Sequence, residues 1–157
     1  MFREMRRFKQ ALTQEECVEL LQNCKRAVIA VTGDEGYPYC LPINYYYEKE
    51  DNTIYFHSSK QGHKVDSLNK DNRICFTAHD EGYQKEDWSY YVKSVIVFGE
   101  AHFLEEGDKK YEMAKKFGMK YFPSEKEVDE ELRKDYSRVE IIAIEIKHMT
   151  GKLVHEK

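Results

Sequence analysis

The sequence predicts a mainly β chain with α-helices (α+β), six strands closing into an antiparallel barrel with the helices packed outside. Three observations predict it. Six stretches with strand patterning follow one another, most of them separated by tight turns. Aromatic residues make up 13% of the 157 residues, with 12 Tyr and 8 Phe, the composition of a β-rich chain that builds flat-ring surfaces. Two capping boxes, Thr13 with Glu16 and Ser124 with Glu127, mark where helices open.

Taken in order, the first element is a helix over about 13–25, with Val18, Leu20 and Leu21 on its apolar face. A buried strand over 27–32 and an alternating strand over 39–47 flank the turn Gly33-Asp34-Glu35-Gly36 and form a hairpin. Asp51-Asn52 turns the chain into a strand over 53–58. A short helix starts near Gln61, where Val65 and Leu68 share a face. Strands over 74–78 and 91–104 follow, then helices over about 108–120 and 124–135, and a last strand over 139–147. The Lys- and Glu-rich helical stretch 108–135 reads as a solvated outer layer. No repeat, low-complexity linker or domain boundary interrupts the chain, so one domain over 1–157 is expected.

Composition narrows the function. Hydrophobic residues at 41% argue against disorder. A net charge of -4 gives no basic field that would draw the chain to nucleic acid or an anionic membrane, so any phosphate must be held locally. No apolar run is long enough to span a bilayer, and Met1-Phe2-Arg3-Glu4-Met5-Arg6-Arg7 leads into polar sequence, which predicts a cytoplasmic protein. Cys17, Cys24, Cys40 and Cys75 form no Cys-x-x-Cys pair and have no histidine at zinc-site spacing, so they read as reduced packing residues and no metal site is expected.

The stretch from Ile54 to Lys64 carries the strongest chemical signal. An apolar strand runs into Ser58, Ser59, Gly62, His63 and Lys64 at a helix start. Helix N-termini expose unpaired N–H groups and a partial positive charge, so two basic residues in the first turn are unfavourable unless an anion sits there. The plain alternative is a surface lysine, a packing histidine and a serine cap. Pro42 fits a strand only at an edge or an irregularity, as beside a ligand. Asn44 is polar within an apolar alternation, either a ligand contact or the occupant of a bulge. His57 faces either solvent or a bound group as a proton donor. Trp88-Ser89-Tyr90-Tyr91 reads as interface or core, or in a dimer as a wall of the other subunit's site.

Gly36-Tyr37-Pro38-Tyr39, Pro42-Ile43-Asn44-Tyr45, Ile54-Tyr55-Phe56-His57-Ser58, Gly62-His63-Lys64, Val95-Ile96-Val97-Phe98-Gly99 and Thr150-Gly151-Lys152 stand in one order. As a set they resemble the FMN-binding split-barrel proteins similar to pyridoxamine 5'-phosphate oxidase, and within these the 5-nitroimidazole resistance branch. The resemblance covers about residues 5–152. It implies a homodimer with FMN at the subunit interface, the phosphate held by Lys64 and His63 with Ser58 and Ser59, and the ring lying along Pro42, Ile43, Asn44 and Tyr45. Thr77 and Ser94 match positions that reach the ribityl chain or ring edge, and His57 is the catalytic candidate. The implied activity is an FMN-dependent oxidoreductase that takes hydride from NAD(P)H and passes electrons to a small acceptor such as a nitro-aromatic. The alternatives are a flavin-binding sensor without turnover, a haem-handling split barrel, or a pyridoxamine phosphate oxidase. The last is disfavoured because the chain ends at Lys157 without the Trp- and Arg-bearing C-terminal segment of such oxidases.

Overall fold

The computed structural model describes residues 1–155. Its elements run α1 (Gln14–Asn23), β1 (Arg26–Thr32), β2 (Pro38–Asn44), β3 (Tyr46–Glu48), β4 (Thr53–Ser59), α2 (His63–Lys70), β5 (Arg73–His79), β6 (Tyr83–Gln84), β7 (Tyr90–Phe103), α3 (Asp108–Tyr121), α4 (Glu125–Asp135) and β8 (Val139–His155). The strands make one antiparallel sheet in the order β2-β1-β5-β7-β8-β4-β3, with β6 paired to β7. The sheet curls around Ile29, Val31, Ile54, Phe56, Phe76, Val95, Val97, Ile142 and Ile144, all buried in one cluster. Each such side chain contributes roughly 1.5–3 kcal/mol on burial, which makes this cluster the main stabilising feature of the curl.

All four predicted helices form, but the sheet differs from the expected six-stranded closed barrel in three ways. The predicted strand 39–47 is divided at Tyr45: β2 pairs with β1, and β3 then pairs with β4. The short β6 adds a further strand. Most consequentially, among the described residues the sheet is not closed by hydrogen bonds, because β2 and β3 are its two edges.

The last strand also runs to His155, where the sequence pattern suggested a stop at Lys147. β7 pairs Phe98 with His148 but Gly99 with Ile146, so Lys147 is an extra residue that shifts the alternation by one. A Cβ at Gly99 would lie 2.6 Å from the Glu145 carbonyl oxygen, so only glycine fits this bulge.

The helices open largely as predicted. Thr13 Oγ1 accepts from the Glu16 N–H at 3.2 Å while the Glu16 carboxylate accepts from the Thr13 N–H at 2.9 Å, a complete capping box. Ser124 Oγ accepts from the Glu127 N–H at 3.4 Å, but the Glu127 carboxylate takes the Ser124 hydroxyl, so only half of that box forms. α1 buries Cys17, Leu20 and Leu21 in the main cluster, and all four cysteines are free. α3 is not the solvated layer expected of it. Met113 and Ala114 pack on Tyr55, Ile141 and Ala143, and Lys110 is 1% exposed, paired with Glu106 at 2.5 Å and Glu140 at 3.6 Å. Among the described residues, no helix is long and apolar enough to cross a membrane.

Candidate functional site

The opening in the sheet positions the site. β2 uses one edge along its whole length to pair with β1, and β4 uses one edge along its whole length to pair with β8. β3 covers the second edge of β4 only at residues 53–55. Among the described residues, no strand pairs with the second edge of β2 or with residues 56–59 on that side of β4. The result is a split flanked by backbone N–H and C=O groups that need partners, a natural seat for a ligand with a polar edge.

α2 begins at one end of this split. Its N-cap, Gly62, has φ 129°, a conformation that a residue with a Cβ rarely adopts, and no side chain caps the first turn. The first-turn N–H groups therefore remain available to an acceptor, with the helix dipole behind them. Lys64 stands in that turn, half-buried, with its ammonium 5.6 Å from the Phe56 ring centroid. Among the described residues it has no carboxylate or hydrogen-bond acceptor for that ammonium, and burial holds its pKa below the usual lysine value. Such a cation is stabilised by an anion more than a solvated lysine would be.

His63 is engaged differently from Lys64. Its ring stacks on Tyr39 at 4.1 Å, and its Nε2 lies 3.5 Å from an Asp34 carboxylate oxygen on the β1–β2 turn. It ties α2 to the start of β2. Ser59 Oγ donates to the Gln61 carbonyl at 2.6 Å and shapes the same approach.

Asn44, His57 and Ser59 line a groove of roughly 580 Å³ together with Phe117, Tyr121 and Arg138, a volume within the range of small-molecule sites. His57 meets the Phe117 ring edge-on at 4.8 Å. Its imidazole is held below the usual histidine pKa, first by the protein around it and then by the Lys64 charge, so it is neutral near pH 7. A neutral imidazole can donate one proton from one nitrogen and accept at the other. Tyr121 fixes the far end of the groove: its hydroxyl accepts from the Tyr45 N–H at 2.8 Å and lies 2.6 Å and 2.7 Å from the Tyr45 and Lys25 carbonyl oxygens. One phenol thus stands in for a strand partner where the chain passes from β2 to β3.

The predicted site residues fall into three groups. Asn44, His57 and Ser59 meet in the groove, with Lys64 and His63 at the adjoining helix start. Ile43, Tyr45 and Ser58 point into the core and are buried, so only their backbone can face the split. Pro42 and Thr77 flank Val28 on the outer face of the sheet, and Ser94 pairs with His79 further along that face. Thr77 also spends its hydroxyl on the Val95 carbonyl at 3.0 Å. These three do not join the groove within one chain.

Sequence reasoning missed Phe117, Tyr121 and Arg138. The repeat Met113, Phe117, Tyr121 at steps of four was the signal that α3 presents an aromatic face inward. Trp88 is not core, since it is 68% exposed, although Ser89 beside it is buried. One surface trio, Glu100, His102 and Glu145, brings potential metal-ligand atoms within 4.8 Å of one another, but Lys147 pairs with both carboxylates.

The family model described as pyridoxamine 5'-phosphate oxidase matches residues 13–153. The chain belongs to that family. Several solved structures share the overall fold. A Bacteroides thetaiotaomicron structure named as a 5-nitroimidazole antibiotic resistance protein is 22% identical, covering 92% of this chain and 87% of its own, with a TM-score of 0.77. An FAD binding protein from Mycobacterium smegmatis is 20% identical over 94% and 99% of the two chains, with a TM-score of 0.68. The flavocytochrome Anf3 from Azotobacter vinelandii is 19% identical over 96% and 72%, with a TM-score of 0.74. At these identities the likeness is one of fold. No curated protein sequence matches the chain significantly.

Proposed function

We propose that the protein binds FMN in the split between β2 and β4 and works as an FMN-dependent oxidoreductase. The observation that carries this reading is Lys64: a half-buried ammonium with no acceptor among the described residues, at an uncapped helix N-terminus near enough to act on His57 in the groove that His57 and Asn44 line. The flavin-binding relatives on the same fold support the class of cofactor.

In this reading Lys64 and the first-turn N–H groups of α2 hold the phosphate, with Ser59 beside them and His63 bracing the helix against Tyr39. The free edge of β2 at Pro42, Ile43, Asn44 and Tyr45 offers backbone groups to the ring's polar edge, and Asn44 adds a side-chain amide. The flavin would supply hydride and electron transfer when bound; the chain supplies orientation, charge and exclusion of water. His57, neutral near pH 7 and set against Phe117, is placed to donate or accept a proton at its imidazole within the groove. NAD(P)H as donor and a small oxidised molecule, nitro-aromatics included, as acceptor complete the reaction class.

A homodimer belongs to the same reading. The outer sheet face exposes Val28, Ile96 and Phe98 together, an apolar stripe of the kind that marks an interface. A second copy on that face would bring Pro42, Thr77 and Ser94 near a partner's flavin.

The visible absorbance spectrum of the purified protein tests this proposal, followed by anaerobic titration with NADH and NADPH. A flavin spectrum bleached by either nucleotide is expected. A protein that takes up no FMN overturns the reading, and one that binds FMN but is reduced only slowly is a flavin-binding module without turnover.

A further inference from the structure

Lys25, Arg26 and Lys120 gather at the end of the split opposite α2. His63 stacks on Tyr39 near the start of β2, whereas Arg26 is the register partner of Asn44 at its end, about 17 Å further on at strand rise. The Arg26 guanidinium carbon lies 5.8 Å from the Tyr121 ring centroid, and Lys120 Nζ lies 5.4 Å from the same centroid. The Tyr121 hydroxyl binds the Lys25 backbone carbonyl, so Arg26 and Lys120 flank one side chain of the groove wall, and the Lys25 charge is felt at Lys120.

Among the described residues, none of the three forms an ion pair, in a chain whose net charge is -4. Lys120 donates to the Cys24 and Tyr45 carbonyls, and its pKa is drawn down to about 8, mainly by burial with Lys25 and Arg26 adding to it. The adjoining groove that Lys25 and Arg26 also line carries Glu16, Glu19, Asp80 and Glu81, of which Glu16 is paired with Lys93. Asp80 is already engaged by the Gly82 and Lys93 N–H groups, each at 3.0 Å. Lys25 and Arg26, two cations without an ion pair beside a groove and with the carbonyl-bound Lys120 charge behind them, favour an anion there.

We infer that Lys25 and Arg26, backed by Lys120, form a second anion seat, which takes the carboxylate or phosphate of the small molecule exchanging electrons with the flavin. This rests on the flavin reading and narrows it: the second reactant carries a negative charge, held at the ring end of the split, while Lys64 holds the cofactor's phosphate at the other.

Calorimetric titration with inorganic pyrophosphate tests it in the full chain. The Lys64→Ala variant, with the first seat removed, is expected to bind one pyrophosphate per chain. Adding Lys25→Gln and Arg26→Gln, both exposed positions, should weaken that binding at least roughly ten-fold. Arg26→Gln alone on the Lys64→Ala background should give a smaller loss in the same direction, an independent check on the triple variant. No pyrophosphate uptake by Lys64→Ala, or equal uptake by it and the triple variant, overturns the inference. FMN uptake by the wild type is measured separately, so failure of the flavin reading and failure of the second seat are distinct results.

Discussion

Lys64 and Lys120 are two half-buried lysines at opposite ends of one split, and they differ in a single respect. Burial lowers the pKa of both, each faces an aromatic ring, and among the described residues neither meets a carboxylate. Lys120 places its ammonium 2.6 Å from the Cys24 carbonyl and 2.9 Å from the Tyr45 carbonyl, whereas Lys64 has no acceptor among the described residues. A buried cation with carbonyl partners is part of the scaffold; one without partners is suited to a ligand. The contrast separates a lysine that holds α3 on the β2–β3 crossover from one proposed to hold a phosphate.

Substitution at each end should therefore fail differently. Lys64→Glu should have the largest effect, abolishing FMN retention on a desalting column by setting a carboxylate against the phosphate, while circular dichroism remains that of the wild type. Lys120→Met should do the reverse. It removes the donor from the Cys24 carbonyl and one of two donors from the Tyr45 carbonyl, and should cost about 1–3 kcal/mol of stability in urea unfolding, with FMN affinity changed far less than by Lys64→Glu. Tyr121→Phe keeps the ring but removes the hydroxyl that serves Tyr45, and a loss of about 1–2 kcal/mol is expected from the same unfolding assay. If Lys120→Met released FMN as completely as Lys64→Glu, the distinction between the two lysines would collapse.

The pH dependence sharpens the comparison with smaller effects. Phosphate binding needs Lys64 charged, so FMN affinity should fall as pH rises through a lysine pKa lowered by burial, earlier than for an ordinary surface lysine. In the flavin-free protein the folded chain binds fewer protons at Lys120 than the unfolded chain between about pH 8 and 10. Lys120's own contribution to stability should accordingly rise with pH in that window, read as the difference between wild type and Lys120→Met, because Cys17, Cys24 and Cys75, whose thiols burial pushes up, contribute with the opposite sign in both proteins. Urea midpoints across the range measure it.

Much of this architecture was legible in the sequence, for physical reasons that also explain what was not. The split was hidden because Tyr39, Leu41, Ile43, Tyr45 and Tyr47 keep one unbroken alternation while the chain changes partners from β1 to β4. Period-two patterning reports which face is buried, not which strand lies alongside. The second half of β8 was missed because the bulge opposite Gly99 shifts its alternation. The α2 start was readable from Gly62, His63 and Lys64, since basic residues in a first helical turn conflict with the dipole. The α3 wall was harder. Its Lys and Glu residues suggested solvent exposure, yet several of them pair along the rim of an otherwise apolar face, as Lys116 does with Glu48 at 2.5 Å. The cations around Tyr121 come from two distant stretches of chain, and only the fold brings them together.

The central claim is that Lys64 holds a phosphate, and the ratio of FMN to riboflavin affinity tests it most directly, because the two ligands differ only by that group. The wild type should bind FMN more tightly than riboflavin, and Lys64→Ala should lower FMN affinity by roughly 10- to 100-fold while leaving riboflavin nearly unchanged. Equal losses for both ligands, or a wild type that does not distinguish them, would contradict the account.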